Sequence, residues 1–186
     1  MPLAVSLMSH LPLRTARLQL TPLDLSHLPA LAAMLADPVV MRFFPRAMSS
    51  VETEGWLRRT IGRYQQHGTG LLAVLGPDGP AAGLIGDCGL QVRSIAGHEH
   101  LELGYHFTRS AWGRGYATEA ARACLALAFA HTQVPDVIAL IRPENGPSQG
   151  VARRLGMRPG RAVLHGGLVH DVWRVDREGF AEDALQ

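Results

Sequence analysis

A pair of closely spaced glycines, at the point where a predicted strand leads into a predicted helix, constrains the fold more than any other feature. Residues 101–107 alternate apolar and polar side chains, as a half-buried strand does. Residues 116–131 are rich in alanine and leucine, which favours a helix. Gly113 and Gly115 lie between them and let the backbone approach an oxyanion without interference from Cβ atoms. Because the free N–H groups and the dipole of a helix start attract negative charge, this junction predicts phosphate binding.

Two other nucleotide-binding loops fit the same junction less well. A P-loop needs a lysine, and all 18 basic residues of this chain are arginines. A dinucleotide fingerprint needs a third glycine where this chain has Thr118, and Asp136 precedes its predicted strand instead of ending it. A tight turn without any ligand is the plainer alternative. It requires that a strand, two glycines and an alanine-rich helix coincide by chance.

The rest of the hydrophobic pattern predicts one α/β (α+β) domain. The predicted strands are residues 17–21, 70–75, 83–90, 101–107, 137–141, 161–164 and 169–175. The predicted helices are residues 24–35, 50–66, 116–131 and 145–155. The order is therefore β-α-α-β-β-β-α-β-α-β-β, a mixed, mostly antiparallel sheet of about seven strands with about four flanking helices. A doubly wound fold would alternate strand and helix more strictly.

Composition sets the expected context of this domain. A formal charge of +2 provides no basic field that would indicate nucleic acid, and no apolar run reaches the ~20 residues of a membrane span. We expect residues 1–13 to be a loosely ordered leader, residues 14–177 to be the domain and residues 178–186 to be a C-terminal tail. The protein is therefore expected to be cytoplasmic, without nucleic-acid or membrane partners. The oligomeric state is open, although dimers are the commonest assemblies.

The glycine junction belongs to a longer string that resembles the acetyl-CoA motif of the GNAT superfamily of N-acetyltransferases. The resemblance is greatest to the branch that contains the ribosomal-protein alanine N-acetyltransferases. The string is Gly113-Arg114-Gly115-Tyr116-Ala117-Thr118-Glu119-Ala120. Two further matches to that branch are Asn145-x-x-Ser148-x-x-Val151-Ala152-x-x-Leu155-Gly156-Met157 and Gly167-x-x-His170-Asp171-Val172. The three motifs are in register, and the order of elements agrees with the family from about Arg14 to Arg177, which is nearly the whole chain. The resemblance therefore implies the GNAT fold and N-acetyltransferase activity.

The resemblance also implies acetyl-CoA as cosubstrate and assigns residues to it. The backbone at residues 106–108 would pair with the pantetheine arm, and the amides of residues 114–118 would hold the pyrophosphate. Asn145 would bond the pantetheine or brace the splayed strand. Ser110 replaces a Gln or Arg of many relatives, which removes a side chain but leaves the backbone in place. The predicted site is His106, Phe107, Thr108, Gly113, Arg114, Gly115, Tyr116, Ala117, Thr118 and Asn145.

Acetyl transfer to an amine requires that the amine lose a proton and that the departing thiolate gain one. The resemblance assigns the second task to Ser148, although a hydroxyl near a helix start is also a common cap. We predict Glu102 as the general base, since relatives use a carboxylate on this strand; a solvated carboxylate is the alternative. Where the branch has a further carboxylate this chain has Val163, with His165 nearby. The base is thus Glu102, His165 or water.

The acceptor is a primary amine, either a protein N-terminus, which the resemblance favours, or a small molecule. Phe43, Phe44 and Arg46 lie between the first two predicted helices, where the family shapes its acceptor pocket, although the aromatic side chains also suit a core. No metal is expected, because the pair His98-x-His100 has no further ligands and the two cysteines are isolated. A non-catalytic acyl-CoA-binding module is the main alternative, and an NAD-dependent oxidoreductase is a distant one.

Overall fold

A computed structural model describes residues 6–77 and 83–183, and within them the chain forms one eight-stranded sheet. The strands are β1 (Leu13–Arg14), β2 (Gln19–Pro22), β3 (Leu71–Leu75), β4 (Leu84–Ile95), β5 (His98–Phe107), β6 (Asp136–Ile141), β7 (Arg158–His165) and β8 (Leu168–Asp176). The helices are α1 (Leu28–Leu35), α2 (Ser50–His67), α3 (Tyr116–His131), α4 (Gly146–Arg154) and α5 (Arg177–Asp183). The strand order is β1-β2-β3-β4-β5-β6-β8-β7, and only the β5–β6 pair is parallel. The predicted mixed, mostly antiparallel sheet is confirmed.

The chain ends contribute more structure than the sequence predicted. The extra strand β1 pairs with β2, with Leu13 opposite Leu20. Leu7 is buried in the core although it belongs to the predicted leader, and Phe180 of α5 packs on the same core. Residues that pack on the core therefore lie on both sides of the predicted limits at residues 14 and 177. Residues 1–5 of the leader and 184–186 of the tail lie outside the described residues.

Two hydrophobic clusters lie on opposite faces of the sheet. Leu72 and Val74 of β3 belong to the cluster beneath α3, whereas Leu71 and Leu75 belong to the cluster beneath α1 and α2. This split follows from the two-residue period of a strand, which directs successive side chains to opposite faces. The helices therefore sandwich the sheet. Within the described residues, no helix has both the length and the apolar character needed to cross a membrane.

The boundaries of α2 follow from local hydrogen bonds. The hydroxyl of Ser49 accepts from the N–H of Glu52 at 3.3 Å, and the Glu52 carboxylate accepts from the N–H of Ser49 at 2.8 Å. This reciprocal pair is a capping box, so Ser49 is the cap among the two serines there. At the other end Gly68 adopts a left-handed φ of 64°, which ends the helix. The Ser49 cap therefore fixes where the loop before α2 ends.

The sheet opens beyond the point where β5 and β6 pair in parallel. Glu102 of β5 lies beside Ile138 of β6, and further along a cleft separates residues 105–107 from the start of α4. Along β5, Leu101 and Phe107 face the α3 cluster. By alternation, Glu102 and His106 face the α1 and α2 side. The strand therefore presents different side chains to the two sides of the cleft.

Candidate active site

The cleft between the end of β5 and the start of α4 has a volume of about 660 Å³. Its walls are the end of β5 with the glycine turn, the first turn of α4, and the loop between α1 and α2. The predicted site residues that line it are Phe43, Phe44, His106, Phe107, Gly113, Gly115, Tyr116, Ala117, Thr118, Asn145 and Ser148. Residues from three distant parts of the sequence therefore meet in one cavity.

The glycine turn leaves the start of α3 without a protein cap. Gly113 and Gly115 have φ values of 71° and 78°, a region that side-chain-bearing residues rarely adopt. Gly115 is the N-cap, and the first helical hydrogen bond runs from the Glu119 N–H to its carbonyl at 3.0 Å. Within the described residues, the N–H groups of residues 116–118 have no acceptor. They line the cleft, so the helix offers it free donors and the positive end of its dipole.

Two arginines that the sequence analysis did not identify adjoin this turn. Arg17 donates to the Arg114 carbonyl at 2.9 Å, and its guanidinium lies 4.6 Å from the centroid of the Tyr116 ring. Arg154 lines the cleft, and its Nε donates to the Thr118 hydroxyl at 3.3 Å. Arg17 therefore braces the turn from behind, while Arg154 adds positive charge beside the free N–H groups.

The brace is completed by the Glu119 carboxylate. It accepts from the Arg17 Nε at 2.7 Å and from the Thr15 hydroxyl at 2.6 Å. Burial raises the pKa of Glu119, but the hydrogen bonds from Thr15 and Arg17 and the charge of Arg17 outweigh it, so the pKa lies below its ordinary value of 4.5. The ionised form is thus stabilised in the folded protein and contributes to stability above the unfolded pKa.

Replacement of Glu119 by glutamine is expected to lower the free energy of unfolding at pH 7 by about 1–2 kcal/mol, since charge-assisted hydrogen bonds are lost. The difference from wild type should shrink as the pH falls from 4.5 through the lower folded pKa, where the wild-type carboxylate is also protonated. Urea unfolding at several pH values measures this. Glu54→Gln, which removes an exposed ion pair with Arg58, is the control with a smaller expected loss. A pH-independent difference would contradict the role of the charge.

A buried carboxylate holds the ring of His106. The His106 Nδ1 lies 2.9 Å from one carboxylate oxygen of Asp87 and 3.1 Å from the other, and Asp87 is 0% exposed. The ring packs against Phe44 and Trp56, with centroid distances of 4.7 and 6.2 Å. Burial lowers the pKa of His106, but the charge and hydrogen bond of Asp87 outweigh it and raise the pKa above its ordinary value. Asp87 was not predicted; a single carboxylate inside an apolar strand is the signal that could have identified it.

At the start of α4 the cap is Asn145, not Ser148. The Asn145 side chain accepts from the Ser148 N–H at 3.1 Å, so the Ser148 hydroxyl is not needed as a cap. The Tyr105 hydroxyl donates to the Ser148 carbonyl at 3.5 Å. Burial raises the pKa of Tyr105 to about 12, which keeps the phenol protonated at neutral pH. Tyr105 and Ser148 therefore both line the cleft, and each carries a hydroxyl that can donate a proton.

The structure does not bring Glu102, Arg46 or His165 into the lining of this cleft. The Glu102 carboxylate accepts from the Arg93 Nε at 2.7 Å. Glu102 lies on the same face of β5 as His106 but four residues away along the strand. Arg46 is 69% exposed and pairs with Glu52 of the α2 capping box. His165 ends β7, with its ring 6.1 Å from that of His170. Their predicted roles remain predictions without support from proximity.

Three backbone groups of predicted cofactor-site residues have partners within the protein. The Phe107 carbonyl accepts from the Trp112 indole N–H at 2.9 Å, and the Thr108 N–H donates to the Ile85 carbonyl at 3.0 Å. The Arg114 carbonyl is bound by Arg17, as described above. Any pantetheine contact at the end of β5 must therefore use a donor other than the Thr108 N–H, whereas the Phe107 carbonyl retains a second lone pair. Among the described residues no three His, Cys, Asp or Glu side chains lie close enough to hold a metal ion.

An open sheet with an uncapped, glycine-rich helix start at its cleft is an arrangement suited to enzymes that bind a phosphate-bearing cosubstrate. The profile of the acetyltransferase (GNAT) domain family matches residues 17–158. The chain belongs to the GNAT acetyltransferase family, as its motifs predicted. The family transfers acetyl groups from acetyl-CoA, so acyl transfer is the class of reaction.

The chain is similar in sequence or in structure to several known proteins. The protein YkkB of Bacillus subtilis (strain 168) is 33% identical over 127 residues, which are 68% of this chain and 73% of YkkB. An acetyltransferase from Agrobacterium tumefaciens superposes with a TM-score of 0.77 at 27% identity, covering 90% of this chain and 95% of that one. RimL, a ribosomal alpha-N-protein acetyltransferase solved with coenzyme A, gives a TM-score of 0.71 at 19% identity over 89% of this chain and 97% of its own. RimL therefore shares the fold.

Proposed function

We propose that the protein transfers an acetyl group from acetyl-CoA directly to a primary amine. The observation that carries this proposal is the uncapped start of α3, whose free N–H groups open onto the cleft beside Gly115. Backbone donors and the helix dipole at such a place stabilise a diphosphate, and Arg154 adds a cation next to them. The residues present thus fit the pyrophosphate of acetyl-CoA.

The same cleft provides the groups that the transfer needs. An attacking amine must be neutral, and the thiol that leaves must receive a proton. Ser148 is the proposed proton donor, with the phenol of Tyr105 beside it. A backbone N–H of residues 105–107, on the side of β5 that faces away from β4, is the proposed donor to the thioester carbonyl. Val40, Phe43 and Phe44 give the cleft an apolar wall, which disfavours water beside the reacting atoms.

A protein N-terminus is the first candidate acceptor and a small-molecule amine is the second. The fold shared with RimL, whose name describes an alpha-N-protein acetyltransferase, supports this order. A panel of N-terminal peptides, polyamines and amino acids, assayed by release of free thiol from acetyl-CoA, tests the function. Thiol release with any amine supports the proposal. Tight acetyl-CoA binding without release against the whole panel would instead favour a non-catalytic binding module.

Ser148→Ala is expected to lower kcat about 10-fold or more while acetyl-CoA affinity changes less than twofold. The reason is that the α4 cap, which uses the Ser148 N–H and the Asn145 side chain, survives the substitution. Steady-state kinetics and calorimetric titration measure the two quantities. Ser94→Ala, at an exposed position of β4, is the control and should match wild type in kcat and in acetyl-CoA affinity. An unchanged kcat in Ser148→Ala would remove Ser148 from the mechanism.

A further inference from the structure

A buried histidine–carboxylate pair borders the cleft, and binding of acetyl-CoA explains neither of its side chains. His106 belongs to β5 and lines the cleft, while Asp87 lies opposite it on β4 and is 0% exposed. A carboxylate placed so deeply is costly unless it is paired, and its partner here is the imidazole. This cost suggests a function for the pair beyond packing.

The hydrogen bond between the two residues fixes which ring nitrogen is basic. An ionised carboxylate only accepts hydrogen bonds, so the proton of neutral His106 lies on Nδ1, the atom 2.9 Å from Asp87. Nε2 then carries the lone pair, and within the described residues it has no hydrogen-bond partner. A carboxylate that orients a histidine in this way also stabilises the imidazolium that forms when Nε2 takes a proton.

The surroundings of the ring favour reversible protonation. Phe44 faces it from the loop before α2, and Trp56 faces it from α2 itself; neither carries a charge. Asp87 on β4 is the charged group that acts on the ring. The His106 side chain is 12% exposed, so it is shielded from bulk water but can be reached from the cleft.

We infer that His106 is the general base of the proposed acetyl transfer and that Asp87 is its positioning residue. This inference rests on the proposed function. It replaces Glu102 as the predicted base, because the Glu102 carboxylate is bound by Arg93 and lies four residues back along β5, about 13 Å from His106 at the rise of a strand. His106 faces the α1–α2 side of β5, whereas the uncapped helix start belongs to α3 on the other side. The acceptor and the cosubstrate would thus approach the end of the strand from opposite faces.

The proton balance of the step is as follows. An ammonium acceptor gives one proton to His106 Nε2, which passes it to solvent, and the neutral amine attacks the thioester carbonyl carbon. As the C–N bond forms, His106 takes a second proton from the nitrogen. The C–S bond then breaks, and the thiolate takes a proton from Ser148, which regains one from His106 through water. Two protons leave the nitrogen in total; one ends on the thiol and the other in the solvent.

His106→Asn is the first test, since the asparagine amide retains a donor for Asp87 but has no base. We expect kcat/KM to fall by about 10²–10⁴-fold, the usual contribution of a general base, while calorimetric acetyl-CoA affinity stays within about twofold. His27→Asn is the matched control, because His27 also has its Nδ1 3.1 Å from an aspartate, Asp24, outside the cleft. That variant should retain wild-type turnover. Wild-type activity in His106→Asn would overturn the inference. Loss of activity in Glu102→Gln while His106→Asn stays active would also overturn it.

Asp87→Asn tests the positioning role through the pH profile. Asp87 raises the pKa of His106 above 6.5, so wild-type kcat/KM should rise with pH through a value above 6.5. Without the carboxylate charge, burial alone acts on the ring, and the acid limb should move to lower pH while the plateau falls about 10-fold or more. A lower plateau with the acid limb at its wild-type pH would indicate a purely structural role for Asp87 and overturn the inference. The pH profile of Asp87→Asn is the deciding test if His106→Asn folds poorly. Failure of the wild type to bind acetyl-CoA would instead refute the proposed function.

Discussion

Gly115→Val is expected to weaken acetyl-CoA binding by about 100-fold or more while leaving the fold intact. Gly115 has a φ of 78°, which valine adopts only under strain, and its Cβ would lie 3.4 Å from the Arg17 guanidinium. Relief of that strain must tilt the turn and redirect the N–H groups of residues 116–118. Each hydrogen bond from such a donor to a charged acceptor contributes about 1.5–3 kcal/mol, so the loss of two exceeds a factor of 100.

Gly97→Val is the matched control for this experiment. Gly97 has a φ of 82° in the hairpin between β4 and β5, with open space around the position of a Cβ, and it does not line the cleft. Both variants carry backbone strain of about 1–3 kcal/mol and should lose similar thermal stability. Only Gly115→Val should lose binding in calorimetric titration. Equal affinities in the two variants would contradict a diphosphate site at the α3 start.

The cofactor side of the cleft could be predicted from the sequence because its determinants are local. A strand, Gly113, Gly115 and a helix follow one another within residues 101–131, and each has a composition that specifies its backbone. The caps are local as well. Ser49 and Glu52, three positions apart, form a capping box. Recognising this box in the sequence would have shown that the Glu52 carboxylate is available to bind Arg46. The exposed position of Arg46 follows from that pair.

The acceptor side could not be predicted, because its contacts join residues that are far apart in sequence. His106 and Asp87 are 19 residues apart and meet through the register of β4 with β5. The Arg17–Glu119 pair on the cofactor side joins residues 102 apart, so the sequence did not reveal it either. Alternation correctly predicted that Glu102 and His106 share a face. Alternation does not show which charged group pairs with each side chain. In the structure Arg93 pairs with Glu102, and Asp87 pairs with His106. The prediction of Glu102 as base did not take its pairing with Arg93 into account.

The packing beneath the site leads to the second large effect, which Gly89→Ala should reveal. A Cβ on Gly89 would lie 2.2 Å from the Gly70 carbonyl oxygen and 2.8 Å from the Leu71 Cα. Both obstacles are backbone, so β3 and β4 must move apart within the core. The expected cost is at or above the upper end of the ~1–3 kcal/mol that overpacking usually causes.

Gly104 provides the matched control, because it lies directly opposite Gly89 in the pairing of β4 with β5. Its Cβ would meet only the ends of the Gln91 and Leu71 side chains, each at 3.6 Å, which is ordinary contact. Gly104→Ala should therefore change the free energy of unfolding by less than about 1 kcal/mol, as urea denaturation would show. If Gly89→Ala folds at low temperature, the shift of β4 should also move Asp87, two residues away, and reduce turnover. Equal stability of the two variants would contradict the close approach of β3 and β4 at this point.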